Sequence, residues 1–187
     1  MKYLAKLSAW CYRVVKLPAL ILSALIFILF MVLVLPGMAG QLEDITGVSV
    51  SPDTSFYYSA EDLFQMAEAY GEDGRAYYIY SRFTFDIVWP AVYLAFLVTS
   101  LTFVFRYLPP ANPFRQVNLL PILGAFFDLL ENSAASLVMY RYPLSTPLIA
   151  SLAPLFTALK WIFIFLSFLA LAAGLLILIR RRVTSNP

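Results

Sequence analysis

Four long runs of apolar residues limit what this chain can fold into. They lie at 17–39, 83–107, 117–140 and 148–179, and each is long enough to cross the hydrocarbon core of a bilayer, which takes about 20 residues. Of the 187 residues, 61% are hydrophobic and 13% are charged, which is outside the range of soluble globular domains. We therefore predict an all-α bundle of four transmembrane helices that forms one integral membrane domain over residues 1–187.

The composition excludes several kinds of site. The chain has no histidine, which removes His-ligated haem, the common zinc sites and nucleophiles activated by histidine. Its single cysteine, Cys11, cannot form a disulfide within the chain. The net charge is only +2, so nucleic-acid binding has little support. We expect no metal, no cofactor and no nucleic-acid partner.

The basic residues predict an orientation. Nine of them flank one side of the four runs, namely Lys2, Lys6, Arg13, Lys16, Arg106, Arg115, Arg180, Arg181 and Arg182. The other side has Arg75, Arg82 and Arg141. The positive-inside rule then predicts a multi-pass protein in which both termini are cytoplasmic and loop 40–82 lies outside.

The first run has a second interpretation, because a basic start and "GMAG" are also typical of a signal peptide cleaved after Ala39. Its apolar stretch of about 19 residues is longer than a usual signal core, which favours a membrane helix.

The outer loop contains helix signals of its own. Ser59 and Asp62 have the spacing of a capping box, apolar residues follow at helical intervals, and Gly71 is a stop signal. This pattern predicts a short amphipathic helix on the membrane face. No strong breaker follows between Gly74 and Pro90, so we expect a helix that begins above the bilayer and continues into the second span.

Three polar residues interrupt the third apolar run. Asp128, Glu131 and Asn132 fall within an arc of about 100° on a helix and form one polar stripe. Each acid costs roughly 2 to 4 kcal/mol at the centre of a membrane, so two acids within one turn require a partner or a function. The fourth run supplies Lys160 at a similar depth. We expect Lys160 to pair with Asp128 or Glu131 and to leave one acid uncompensated.

The helix that leads into the second run and continues through it carries a further polar face. It is formed by residues spaced by three, four or seven, namely Arg75, Tyr78, Arg82, Asp86, Trp89 and Tyr93, and Arg82 and Asp86 are spaced for an ion pair. We predict that Asp86 converges with the stripe of the third run and with Lys160. Arg75 and Arg82 would bind a phosphate or carboxylate head group, with Tyr78 and Asp86 orienting them. The tyrosines within 77–80 either form an interfacial aromatic belt or line a pocket mouth.

These patterns lead to one hypothesis of function and to three alternatives. The hypothesis is a pocket, open toward the outer face, that binds a membrane lipid or another lipophilic molecule; whether it also modifies that molecule is open. Its candidate catalytic residues are Asp128, Glu131 and Lys160, and its candidate ligand-binding residues are Arg75, Tyr78, Arg82, Asp86 and Asn132. The alternatives are a structural role for the polar groups, an ion or proton pathway in a homo-oligomer, and an accessory subunit of a larger membrane complex.

Three segments resemble a group of bacterial four-helix membrane proteins without a known activity. They are "YGEDGRAYYIYSRFTFDIVWPAVY", "FFDLLEN" and "LFTALKW", which lie within residues 70–165 and contain the motifs GR-x2-Y, D-x3-P, D-x2-EN and an intramembrane lysine. The resemblance implies the same four-helix fold, a location in a bacterial inner membrane and no particular reaction. In layout alone the chain is also similar to the four-helix sterol-isomerase and sigma-2-receptor group, which has a long loop after its first helix.

Overall fold

The structure is a computed structural model that describes residues 2–48, 51–52, 55 and 57–184. In chain order its helices are α1 (Lys2–Val14), α2 (Leu17–Leu29), α3 (Leu35–Thr46), α4 (Ala60–Ala69), α5 (Gly71–Arg82), α6 (Phe85–Val104), α7 (Leu120–Arg141) and α8 (Pro147–Thr184). A π-helical turn, Phe30–Val34, joins α2 to α3, and 3-10 segments lie at Phe105–Tyr107 and Pro113–Leu119. This part of the chain contains no strand. The predicted all-α fold is confirmed.

Four stretches are long and apolar enough to cross a membrane. They are Leu17–Gly37, Gly71–Tyr107, Pro113–Arg141 and Pro147–Arg181, and each contains most of one predicted run. The chain therefore has four candidate transmembrane helices, which is the signature of a multi-pass membrane protein. We call the end of the bundle with α4 and α5 the outer end, and the end where α2 begins and α8 finishes the inner end.

The helix α2 lies at the edge of the bundle. It packs on α6 through aromatic stacking, with the ring of Phe27 4.4 Å from the ring of Phe96, and Ser23 hydrogen-bonds Thr99 over 2.7 Å. Ser23 is its one buried residue among those described. Because little of α2 is covered by protein, its apolar surface is suited to contact with lipid.

The amphipathic helix of the outer loop is confirmed as α4. Ser59 and Asp62 form the predicted capping box: the Asp62 amide donates to Ser59 Oγ over 3.1 Å, and the Ser59 amide donates to Asp62 Oδ2 over 2.7 Å. The apolar face of α4 packs against small residues of α7 and α8, in a cluster that includes Leu63, Ala67 and Ala135. The helix α4 thus covers the outer end of the bundle.

The helix expected above the second span is α5, and a turn of two residues separates it from α6. The chain leaves the helical path at Phe83 and Thr84, so α5 and α6 are separate helices. The Thr84 hydroxyl donates to the carbonyl of Tyr80 over 2.7 Å and so competes with the backbone bonds of a continuous helix. Short-range propensity gave no strong sign of this break.

The N-terminal helix α1 was not predicted. Its residues precede the first apolar run and were interpreted only as a basic flank. The extended backbone of Lys16 turns the chain between α1 and α2, with Pro18 in the first turn of α2. The helix then packs at the inner end, where Ser8 Oγ donates to Asn118 Oδ1 over 2.8 Å and Tyr12 donates to the carbonyl of Arg115 over 3.0 Å.

Candidate functional site

An ion-paired group joins α7 to α8 in the interior of the bundle. Lys160 Nζ lies 2.5 Å from Glu131 Oε2 and 3.6 Å from Asp128 Oδ1. Lys160 is 4% exposed and Glu131 is fully buried, so this lysine does not point into lipid. The predicted meeting of the lysine with both acids is therefore confirmed as geometry.

Tyr93 of α6 completes the surroundings of Asp128. Its hydroxyl donates to Asp128 Oδ2 over 2.9 Å, while Lys160 faces the other carboxylate oxygen. Tyr93 is 3% exposed. Tyr93 was predicted on the same face as Asp86, two helical turns later, but was not among the predicted site residues.

Pro90 explains how Asn132 joins α7 to α6. Proline has no amide hydrogen, so the carbonyl of Asp86, four residues earlier, lacks its helical donor. The Asn132 side-chain amide lies 3.5 Å from that carbonyl oxygen and approaches it as a donor. The predicted convergence of Asp86 and Asn132 with the lysine group is confirmed.

A second ion pair lies beside the first, at the junction of α5 and α6. Arg82 Nε is 2.9 Å from Asp86 Oδ2, at the predicted i,i+4 spacing. The Arg82 guanidinium also stacks on the ring of Tyr78, 4.5 Å from its centre, and Tyr78 is 1% exposed. The break at Phe83–Thr84 thus places the buried Arg82, which is paired with Asp86, next to the acids of α7.

Arg75 lies outside this cluster. Its guanidinium donates to the carbonyl of Ala67 over 2.8 Å and stacks on the ring of Tyr142, 4.8 Å from the centre. These contacts link α5 to the end of α4 and to the turn between α7 and α8. Among the neighbouring tyrosines, Tyr80 is 67% exposed, whereas Tyr77 hydrogen-bonds Gln41 over 2.6 Å. Of these three tyrosines, Tyr78 alone is buried.

A polar chain runs from the cluster toward the outer end. The hydroxyl of Thr157 lies 3.1 Å from the hydroxyl of Tyr58 and 3.1 Å from the carbonyl oxygen of Ala153, one turn of α8 before Lys160. Tyr58 is 2% exposed, and its burial and the nearby Glu131 carboxylate raise the pKa of its phenol, which is therefore neutral at physiological pH. Tyr58 was not among the predicted site residues, because a loop residue has no periodicity that would indicate its partner.

Tyr58 also belongs to the wall of an outer surface cavity. The cavity has a volume of about 380 Å³, and its lining includes Tyr57, Asp62, Gln65 and Met66. One face of the Tyr58 side chain is therefore turned to the cavity, while its hydroxyl contacts Thr157. The buried ionic cluster and the outer surface are separated by this tyrosine and its neighbours.

The charges of the cluster do not cancel. Arg82 and Lys160 supply two cations, against the three carboxyl groups of Asp86, Asp128 and Glu131. In addition, the side-chain oxygens of Asn132 and Ser136 are buried and have no hydrogen-bond partner among the described residues. A buried site with an excess acid and unused acceptors is suited to take up a proton or a hydrogen-bond donor.

A comparison of the chain with protein-family models, curated proteins and solved structures finds no match.

Proposed function

We propose that this integral membrane protein binds a lipid or another lipophilic molecule, whose polar group enters from the outer end and contacts Glu131, Asn132 and Asp128. The observation on which the proposal rests is the uncompensated acid beside buried acceptors that have no partner in the described part of the chain. Groups used only to join helices are usually satisfied by one another, because an unused buried polar atom costs roughly 1 to 3 kcal/mol.

The outer cavity provides the direction of entry. From it, the Tyr58 side chain and Thr157 lead to Glu131, so a ligand that displaces Tyr58 would reach the carboxylate. The two arginines are less available than the acids. Arg82 is held by Asp86, and Arg75 by Ala67 and Tyr142, so an anionic head group would have to displace these contacts.

The depth of the cluster supports entry from the outer end. The Arg181 guanidinium stacks on Tyr107, 4.5 Å from the ring centre. The basic end of α8 therefore lies at the same depth as the end of the second span. A helical rise of about 1.5 Å per residue puts Tyr93 roughly 21 Å and Asp86 roughly 31 Å from Tyr107. A hydrocarbon core is about 30 Å thick. If Tyr107 marks its inner edge, the cluster lies in the outer half, near the outer head groups.

The test uses Asn132→Leu, which removes the unused acceptor and keeps a similar side-chain volume. The protein is reconstituted in nanodiscs made from a total bacterial lipid extract and is then purified. Mass spectrometry identifies the molecules that the protein retains. We expect the variant to lose a lipophilic species that the wild type retains, while its unfolding temperature falls only modestly, because the Asp86 carbonyl also loses the Asn132 amide as a donor. Leu129→Ala, at an exposed position on α7, is the control.

A purely structural role predicts a different result. Asn132→Leu would then lower the unfolding temperature strongly and leave the set of retained molecules unchanged. Retention of the same molecules by wild type and variant contradicts the binding proposal, whatever happens to stability.

A proton route is the second candidate, because Tyr58, Thr157, Glu131, Lys160 and Asp128 form a row of polar side chains from the outer loop into the bundle. Toward the inner end this row is interrupted. The layer that follows Tyr93 is formed by Leu97 and Ala125, and hydroxyl groups of α6 recur about 10 Å further on. A single copy therefore favours exchange with the outer side over conduction across the membrane.

The proton route is tested in liposomes that contain a pH-sensitive dye. If protons cross, Tyr58→Phe should slow the decay of an imposed pH gradient, whereas Tyr57→Phe, at the exposed neighbouring position, should not. Decay equal to that of protein-free liposomes contradicts this candidate. The accessory-subunit alternative has less support, because the charges it would offer to another chain pair within this one.

A further inference from the structure

The helix α1 has one face against the protein and two faces that are not covered by it. The covered face contains Ser8 and Cys11 of α1 and Val15, the residue after the helix, and these three are 2%, 5% and 7% exposed. Ser8 bonds Asn118, and Arg106 donates to the carbonyl of Val15. These contacts fix which sides of α1 remain available to its surroundings.

The first uncovered side is apolar. Tyr3, Leu7, Trp10 and Val14 are spaced by four, three and four residues, which puts them within an arc of about 60°. Their exposed fractions are 86%, 41%, 51% and 46%. A stripe of this kind, which contains a tryptophan and a tyrosine, is costly in water and favourable at the boundary between acyl chains and head groups.

The second uncovered side is basic and adjoins the first. Lys6 and Arg13 are both exposed and lie two turns apart, within about 60° of Trp10 on the helix. A cationic stripe directly beside an apolar one is the pattern of helices that lie in the plane of a membrane interface.

The location of α1 agrees with that pattern. Tyr12 bonds the backbone of Arg115 and lies under its guanidinium, 3.7 Å from the ring centre. The membrane helix α2 begins at Leu17, directly after the extended Lys16. Because α1 packs where the spans begin and is separated from α2 by a turn, it lies beside the inner end of the bundle.

We infer that α1 is an interfacial lipid-binding helix: its apolar stripe enters the acyl region of the inner leaflet, and Lys6 and Arg13 bind the head groups of anionic phospholipids. Charge complementarity selects anionic lipid, because each lysine or arginine near such a surface contributes a factor of about five in binding. This inference does not depend on a ligand at the Lys160 cluster.

The first experiment measures the orientation of α1 in nanodiscs of phosphatidylcholine and phosphatidylglycerol. In a Cys11→Ala background, single cysteines replace Leu7, Trp10 or Arg13 and are spin-labelled. We expect labels at Leu7 and Trp10 to be more accessible to oxygen, and a label at Arg13 to be more accessible to a water-soluble nickel complex. Equal nickel accessibility at all three positions overturns the inference.

The second experiment measures lipid selectivity. Native mass spectrometry compares retained phosphatidylglycerol in wild type and in the double variant Lys6→Glu with Arg13→Glu. We expect retention to fall by roughly fivefold or more. Arg141→Glu, an exposed change at the outer end, is the matched control and should leave retention within about twofold. Unchanged retention in the double variant overturns the assignment of the head-group contact, and a check of the unfolding temperature confirms that the variant is folded.

Discussion

Lys160 is bound more closely by Glu131 than by Asp128, with its Nζ atom 2.5 Å from Glu131 Oε2 and 3.6 Å from Asp128 Oδ1. The two acids therefore have different surroundings. Glu131 is neutralised by the ammonium, whereas Asp128 shares that ammonium and accepts a hydrogen bond from Tyr93. The sequence left the partner of Lys160 open between them, and this geometry makes Glu131 the primary one.

The ion pair predicts an unequal response in double-mutant cycles. Lys160→Met combined with Glu131→Gln should give a coupling free energy on the order of 1 to 3 kcal/mol, and the cycle with Asp128→Asn should give less. Lys160→Glu should destabilise more than Lys160→Met, because it adds a third acid to these two. Thermal unfolding in detergent measures all of them. A larger coupling for the Asp128 cycle would contradict this assignment.

Removing the Tyr93 hydroxyl should destabilise the protein. Tyr93→Phe leaves Asp128 Oδ2 without its buried donor, which costs about 1 to 3 kcal/mol of unfolding free energy. Tyr140→Phe is the control, since Tyr140 is 78% exposed and should tolerate the change within about 0.5 kcal/mol. Equal unfolding temperatures for the two variants would mean that the hydroxyl contributes nothing.

The capping box of α4 predicts a pH-dependent effect of Asp62→Asn. Hydrogen bonds from the amide and hydroxyl of Ser59 lower the pKa of Asp62 below its ordinary value of 3.8. A lowered pKa means that the ionised carboxylate stabilises the fold above the unfolded-state value and loses this effect as the pH falls through the folded-state value. Wild type should thus be more stable than Asp62→Asn at neutral pH.

That difference in unfolding temperature should shrink steadily on acidification below about pH 4. Glu61→Gln, an exposed change in the same turn of α4, should differ less from wild type at neutral pH. A constant difference between wild type and Asp62→Asn at every pH would show that charge is not involved.

Close packing at the inner end predicts opposite effects of two glycine substitutions. A Cβ atom on Gly174 would lie 2.6 Å from Val104 and 2.8 Å from the ring of Phe105, whereas one on Gly37 meets nothing within 4 Å. Gly174→Ala should therefore cost about 1 to 3 kcal/mol in unfolding free energy. Gly37→Ala, in the first turn of α3, should be neutral or stabilising by up to about 1 kcal/mol. A reversed order of the two unfolding temperatures would contradict the packing of α8 on α6.

The predicted orientation can be tested with an impermeant thiol reagent on intact cells. In a Cys11→Ala background, a cysteine at the exposed position Glu72 should be labelled from outside, and one at the exposed position Pro110 should not, because the basic flanks lie at the inner end. Labelling of Pro110→Cys alone would reverse the orientation, and with it the direction of entry to the cluster.

Periodicity and composition were sufficient for much of the fold. The four apolar runs predicted the spans, and the capping residues Ser59 and Asp62 predicted α4, because both signals are local and need no knowledge of distant contacts. The cost of charge in hydrocarbon also predicted that Lys160 converges with Asp128 and Glu131, since isolated charges at those positions would be unfavourable.

The remaining features depended on contacts between residues far apart in the chain. The choice of Glu131 over Asp128, the bond from Tyr93 and the contact between Tyr58 and Thr157 depend on how α6, α7 and the outer loop are placed against α8. Helical spacing specifies the face on which a side chain lies, but the rotation and height of one helix against another come from side-chain packing. The interruption of the second span is of the same kind. The local sequence allows Thr84 either a helical or a non-helical conformation. The tertiary structure stabilises the conformation in which Arg82 pairs with Asp86 beside α7.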